Sequence, residues 1–208
     1  MNDRPSKISL DLEDVAKLKF EAARGRPYAN RISLVLALRL LDRSTRHLDP
    51  TAVLRELDYL EGLEPTSRTK AEAPFRGSVL RPLWHKHFTS ARHVVANIGI
   101  RWNLPGGGNK DLDRTIAEIN KLSGAESEDL PNRLVHRLVL GGYEERVSRG
   151  LTGDWIVYGR HAGANYYLDL ATHEEGSSEE AAKLLAKLRN GCFWEYPFVF
   201  DDQDSYGR

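Results

Sequence analysis

The spacing of hydrophobic and polar positions changes along the chain, and each change predicts an element. In DLEDVAKLKFEAAR (11–24), Val15, Leu18 and Ala22 recur at helical spacing, and Gly25 with Pro27 stops the run. RISLVLALRLL (31–41) is apolar on nearly every side, which predicts a buried helix. Asp49 and Pro50 supply an N-cap and a first helical position for a third helix. Val53, Leu57 and Leu60 stripe it and Gly62 ends it. Residues 64–78 are polar and punctuated, so they read as an exposed connection. From 82 to 102, Trp84, Phe88, Ala91, Val95, Ile98 and Trp102 fall on one side of a helical wheel. That stripe favours one long helix. A strand over 83–89 is the alternative, and it would put His85 and His87 on one face.

The second half has a different texture. NLPGGGNKD (103–111) reads as a flexible loop and a joint. Helices are predicted over 110–122, with Leu112, Ile116 and Ile119 on one side, and over 130–140, ending at Gly141-Gly142. YEERVSR (143–149), DWIVYGR (154–160) and YYLDLAT (166–172) read as three strands, the last two joined through HAGAN as a hairpin. Ser177 with Glu180 fits a capping box, leucines 184, 185 and 188 follow, and Asn190-Gly191 supplies a stop. FWEYPFVF (193–200) reads as a last strand or extended segment. The pattern predicts an α+β protein. Its N-terminal half is mainly helical, and its C-terminal half holds a small antiparallel sheet of three to four strands flanked by helices. The expected layout is a helical region (1–102), a glycine-rich connection (103–109), an α+β region (110–200) and a polar tail (201–208).

Composition narrows the function classes. Thirty basic residues balance thirty acidic ones, so a chain that coats nucleic acid by bulk charge is not indicated, while a local basic face stays open. Cys192 is the sole cysteine, so no intrachain disulfide forms, which fits a reducing cytoplasm. The N-terminus lacks the apolar core of a signal peptide, and no window approaches 18 uncharged apolar residues. The expectation is a soluble cytoplasmic protein with no membrane partner. PGGGNKD lacks the GK[ST] of a phosphate-binding loop, and no cofactor or metal motif is present, so none is expected.

The candidate chemistry sits in two places. On the favoured helix, His85, His87 and His93 project in different directions and do not converge on one metal. His87 then lies at a core edge and His93 faces water. His85 stacks with Arg92, and a cation beside an imidazole can hold an anion while the imidazole moves protons. The second place is the hairpin. Arg160, His161 and Tyr166 or Tyr167 neighbour one another at one end, with Asp154 and His173 at the other. Arg146 and Arg149 add charge on the preceding segment. Cations can bind phosphate there and aromatic faces can stack bases.

The order helix, helix, three strands, helix over 110–190, and the run WIVYGRHAGANYYLDLATHEEGSSEEAAKLLAKLR, resemble the RelE/ParE/HigB class of toxins. The resemblance covers about two fifths of the chain and rests on element order. It implies a metal-independent endoribonuclease. Arg146, Arg149 and Arg160 would bind phosphate, and His161 or His173 would assist proton transfer. Catalytic candidates are therefore His85, Arg92, Arg160, His161 and His173. Substrate-binding candidates are Arg146, Arg149, Tyr166 and Tyr167, and RNA is the expected partner. Two other classes stay open. One is a non-enzymatic regulator, inhibitor or immunity-type protein that binds a protein through Trp194, Tyr196 and Phe198. The other is a metallohydrolase using His85, His87 and His173 or Glu174.

Overall fold

A computed structural model describes residues 10–42, 48–89, 91–123, 135–148 and 153–204. Among the described residues the protein is α+β, with eight α-helices and a four-stranded antiparallel sheet. The helices are α1 (Leu12–Ala22), α2 (Leu34–Leu41), α3 (Pro50–Leu60), α4 (Ala91–Trp102), α5 (Lys110–Ser123), α6 (Gly142–Ser148), α7 (Ala181–Cys192) and α8 (Pro197–Asp204). The strands β1 (Ala73–Pro74), β2 (Trp84–Phe88), β3 (Asp154–His161) and β4 (Ala164–Ala171) pair in the order β1-β2-β3-β4. No described helix is long and apolar enough to cross a membrane. The chain forms two compact units: Met1–Pro50 with Pro74–His85 and Ile156–Arg208, and Thr51–Ala73 with Lys86–Trp155.

In the first unit, local sequence sets each element and its packing. Asp11 caps α1 by accepting from the Asp14 backbone, and the Asp14 side chain reciprocates. Ser33 caps α2 by accepting from Leu36 N, while its hydroxyl donates to Leu168 O of β4. One residue thus starts the helix and ties it to the sheet. The apolar run of α2 buries Leu36, Ala37 and Leu40 but leaves Leu38 exposed, so it is one-sided rather than buried all round. The β3–β4 hairpin turns on Ala162 and Gly163, both at positive φ, a two-residue turn tighter than HAGAN suggested. Tyr28, Tyr158 and Tyr167 pack edge-on or tilted in the core. Helix α7 lies against α2 where Gly191 has no side chain; a Cβ there would sit 2.9 Å from Val35. Gly191 therefore serves close approach inside α7 and does not end it. Cys192 is buried, its thiol directed at Leu168 O.

The N-terminal approach to α7 also differs from expectation. Glu180 is its N-cap and makes no side-chain cap bond. The reciprocal pair is Thr172 with Glu175, just after β4, where each side chain accepts from the other's backbone N–H. FWEYPFVF is not a strand: its second half opens α8, because Val199 fills the space over Gly159 on β3.

In the second unit, Arg101 on α4 joins Asp111 on α5 and Glu145 on α6. Residues 143–148 are thus helical, not the expected strand. Tyr143 and Val147 stand four apart and are both half-buried, a helical spacing that the β-prone residue types concealed. Residues 103–109 form a short turn capped on both sides. Asn103 donates to Gly108 O, and Asn109 caps Leu112 of α5. The helix expected over 130–140 falls partly outside the described residues, and 136–141 form a π-turn. Residues 64–78 are not wholly exposed, since Thr69 and Phe75 are buried and β1 begins there.

The largest departure concerns 82–102. The chain is a strand through Phe88 and a helix only from Ala91. The apparent stripe is not one face: Trp102 is buried, while Val95 is 79% exposed. Strand β2 hides its alternation because Lys86, a polar letter in the sequence, is fully buried.

Candidate functional site around His85

Neighbouring side chains on a strand project to opposite faces. Trp84 and His85 therefore look in different directions, and each gathers its own surroundings within the first unit. Arg160 of β3 lies over Trp84, with its guanidinium carbon 3.7 Å from the ring centroid, and it reaches the Tyr158 hydroxyl at 3.3 Å. The exposed cation is thus placed over one ring and bonded to the hydroxyl of a second.

On the other side, His85 packs against Phe75, with ring centroids 4.8 Å apart. Burial, then the charge of His173, then that of Arg76 hold its imidazole near 4, well below 6.5. At neutral pH the ring is uncharged. His173 and Arg76 are close enough to act on it electrostatically, and both are exposed. An anion binding beside them would offset their part, which is smaller than that of burial, in keeping the proton off His85.

The remaining predicted residues are placed as follows. His161 is exposed and packs on Phe198 at 4.5 Å. Tyr166 is half-buried against Tyr196 and Phe198. Tyr167 is fully buried, so a nucleic-acid base has no access to its face. The side chains of Arg92 and Arg146, and all of Arg149, lie outside the described residues. Of the five catalytic candidates, the structure thus places His173 within electrostatic reach of His85. Arg160 sits with Trp84 on the other face of the strand, and His161 stands with Phe198. Arg76 joins the group although sequence reasoning missed it; it lay in a segment read as an exposed connection.

His87 and His93 belong to the second unit and have fixed partners. His87 Nδ1 lies 3.1 Å from Gly153 O, with Trp155 edge-on to the ring. His93 faces Asp154 at 3.5 Å, not open water. Among the described residues no three histidine, cysteine or carboxylate side chains gather as metal ligands do.

Of the three rings considered for a protein partner, Trp194 is 56% exposed. Tyr196 is buried, its hydroxyl donating to Ile32 O, and Phe198 is half-buried. The chain matches no protein-family model, no curated protein and no solved structure in comparisons with each.

Proposed function

We propose that the protein is a phosphate-ester-directed enzyme of the endoribonuclease type, working through side chains alone. The observation that carries this reading is the neutral His85 beside two exposed groups, His173 and Arg76. RNA cleavage needs a base for the 2′-hydroxyl proton, an acid for the departing 5′-oxygen and a cation for charge building on phosphorus. His85 serves as the base, His173 as the acid and Arg76 as the cation. Binding of the phosphodiester offsets the charges of His173 and Arg76, the two smaller of the three causes that lower the proton affinity of His85, and leaves burial, the largest, in place. Arg160 over Trp84 offers a cation to an unstacked base on the strand's other face.

The test is cleavage of a fluorophore–quencher oligoribonucleotide by the full chain in EDTA. His85→Gln and His173→Gln are each expected to lower kcat by about a hundredfold or more, the usual range for a lost acid or base. Arg76→Ala is expected to raise KM as well. Binding of the oligonucleotide without cleavage would replace the enzyme by a binding protein. Cleavage unchanged in all three variants would place the chemistry elsewhere.

A further inference from the structure

A groove of about 560 Å³ in the first unit lies between α1 and the turn leading into α8. It is independent of the His85 group. Leu12 and Phe20 stand eight apart on α1, two turns along one face, and are 82% and 58% exposed. Trp194 lines the same groove, its indole N–H given to Gly191 O, so its ring is held at the groove by its own turn. These are among the most exposed large apolar side chains of the described chain, and they border one concavity.

The floor is polar and built. Lys19 is nine-tenths buried and pairs with Glu195, while its ammonium also donates to the Tyr196 hydroxyl at 3.1 Å. Glu195 is fixed in turn, accepting from Leu34 N at 2.7 Å. Tyr196 passes its own proton to Ile32 O at 2.8 Å. Burial raises the Tyr196 phenol above its ordinary value, so it stays neutral. An ammonium has three protons, and among the described residues two oxygens reach this one. The third proton has no oxygen partner among the described residues; the Tyr196 ring centroid lies 5.1 Å from this ammonium, and Lys19 lines the groove.

From this geometry we infer that the groove binds a small neutral amphiphile. An apolar or aromatic body lies along Leu12, Phe20 and Trp194, and a carbonyl end accepts from Lys19. The volume falls within the roughly 300–1,000 Å³ of small-molecule sites. The Lys19–Glu195 pair carries no net charge, so an anionic end would have to pull Lys19 from a buried carboxylate. A neutral carbonyl does not.

The test uses Nile red, a neutral aromatic probe with a carbonyl acceptor, titrated into the full chain. Saturable one-to-one binding is expected, displaced at least tenfold better by decanamide than by decanoate. Leu12→Ser with Phe20→Ser alters exposed positions, so folding is retained by circular dichroism while affinity falls at least tenfold. Lys19→Met is expected to shift bound-probe emission to the blue, since the carbonyl loses its donor. Equal or better displacement by decanoate would overturn the inference, as would probe binding indifferent to Leu12 and Phe20. So would concentration-dependent self-association abolished by the Leu12/Phe20 variant, which would assign the face to a second copy.

Discussion

Lys19 and Lys86 are both buried lysines facing a glutamate, and they differ in what completes their surroundings. Lys86 Nζ reaches Thr69 Oγ1 at 2.6 Å, Lys70 O at 2.7 Å, Ser67 Oγ at 2.8 Å and Glu56 Oε2 at 3.1 Å, with the Tyr59 ring 5.0 Å away. Four oxygens thus meet three protons. Burial lowers the Lys86 pKa and Glu56 works against that. The neighbours are satisfied too. Ser67 donates to Glu56 at 2.6 Å and accepts from Thr69 N, and Thr69 donates to His87 O. Ser67 therefore has no lone pair left for a substrate, although a serine beside a lysine could otherwise suggest a nucleophile. The Lys86 cage is closed structure. Lys19 has fewer oxygen partners and lines a groove. What separates a structural charge from a binding charge is the donor count left over.

The sharpest break is Lys86→Ala. It strands Glu56, Ser67 and Thr69 inside the second unit, and a loss of about 3–5 kcal/mol in urea unfolding is expected. For an isolated ion pair, replacing both partners with apolar residues often restores stability. Here Lys86→Met with Glu56→Leu takes the acceptor from Ser67 and the Lys86 donor from Lys70 O, so recovery of less than half is expected from the same measurement. Full recovery would mean that the cage is an ordinary pair.

Lys19→Met also strands a buried carboxylate, but Glu195 keeps its bond from Leu34 N and fewer partners are lost, so a cost at the low end of that range, about 3 kcal/mol, is expected. A cost equal to that of Lys86→Ala would erase the distinction between the two lysines.

His85 offers a pH-dependent version. Its folded pKa is about 4 against 6.5 unfolded, so between those values the unfolded chain binds more protons. Stability therefore falls as pH drops from 6.5 toward 4. His85→Gln should flatten that limb by about 1 kcal/mol, allowing for screening of a partly exposed ring, as read from urea midpoints at pH 7 and 4.5. Thr172→Ala, on an exposed reciprocal pair, should cost the least, about 0.5 kcal/mol, in the same assay.

The α+β class, α1, α3, α5 and the β3–β4 hairpin were legible because their signals are local: caps, stripes and a glycine turn. Strand β2 was not, since five residues with a buried lysine at the centre lack alternation, and Trp84 and Phe88 happened to continue the spacing of α4. Helix α6 was masked by residue types that also suit strands. The candidate site was half legible. His85 and His173 were both singled out, but their approach depends on sheet pairing across nearly ninety residues. Arg76 had no signal beyond its charge. The Lys86 cage had none either, since Glu56, Ser67 and Thr69 share no motif spacing with it.

Cys192 carries one more consequence. Burial, with the nearby Asp169 and Glu195 charges adding to it, pushes its thiol up to about 12, so the sulfur is protonated as well as hidden. It is the chain's one thiol. A disulfide reagent can label it only after α7 lifts from β4, so the labelling rate of the native protein clocks that opening without any added probe.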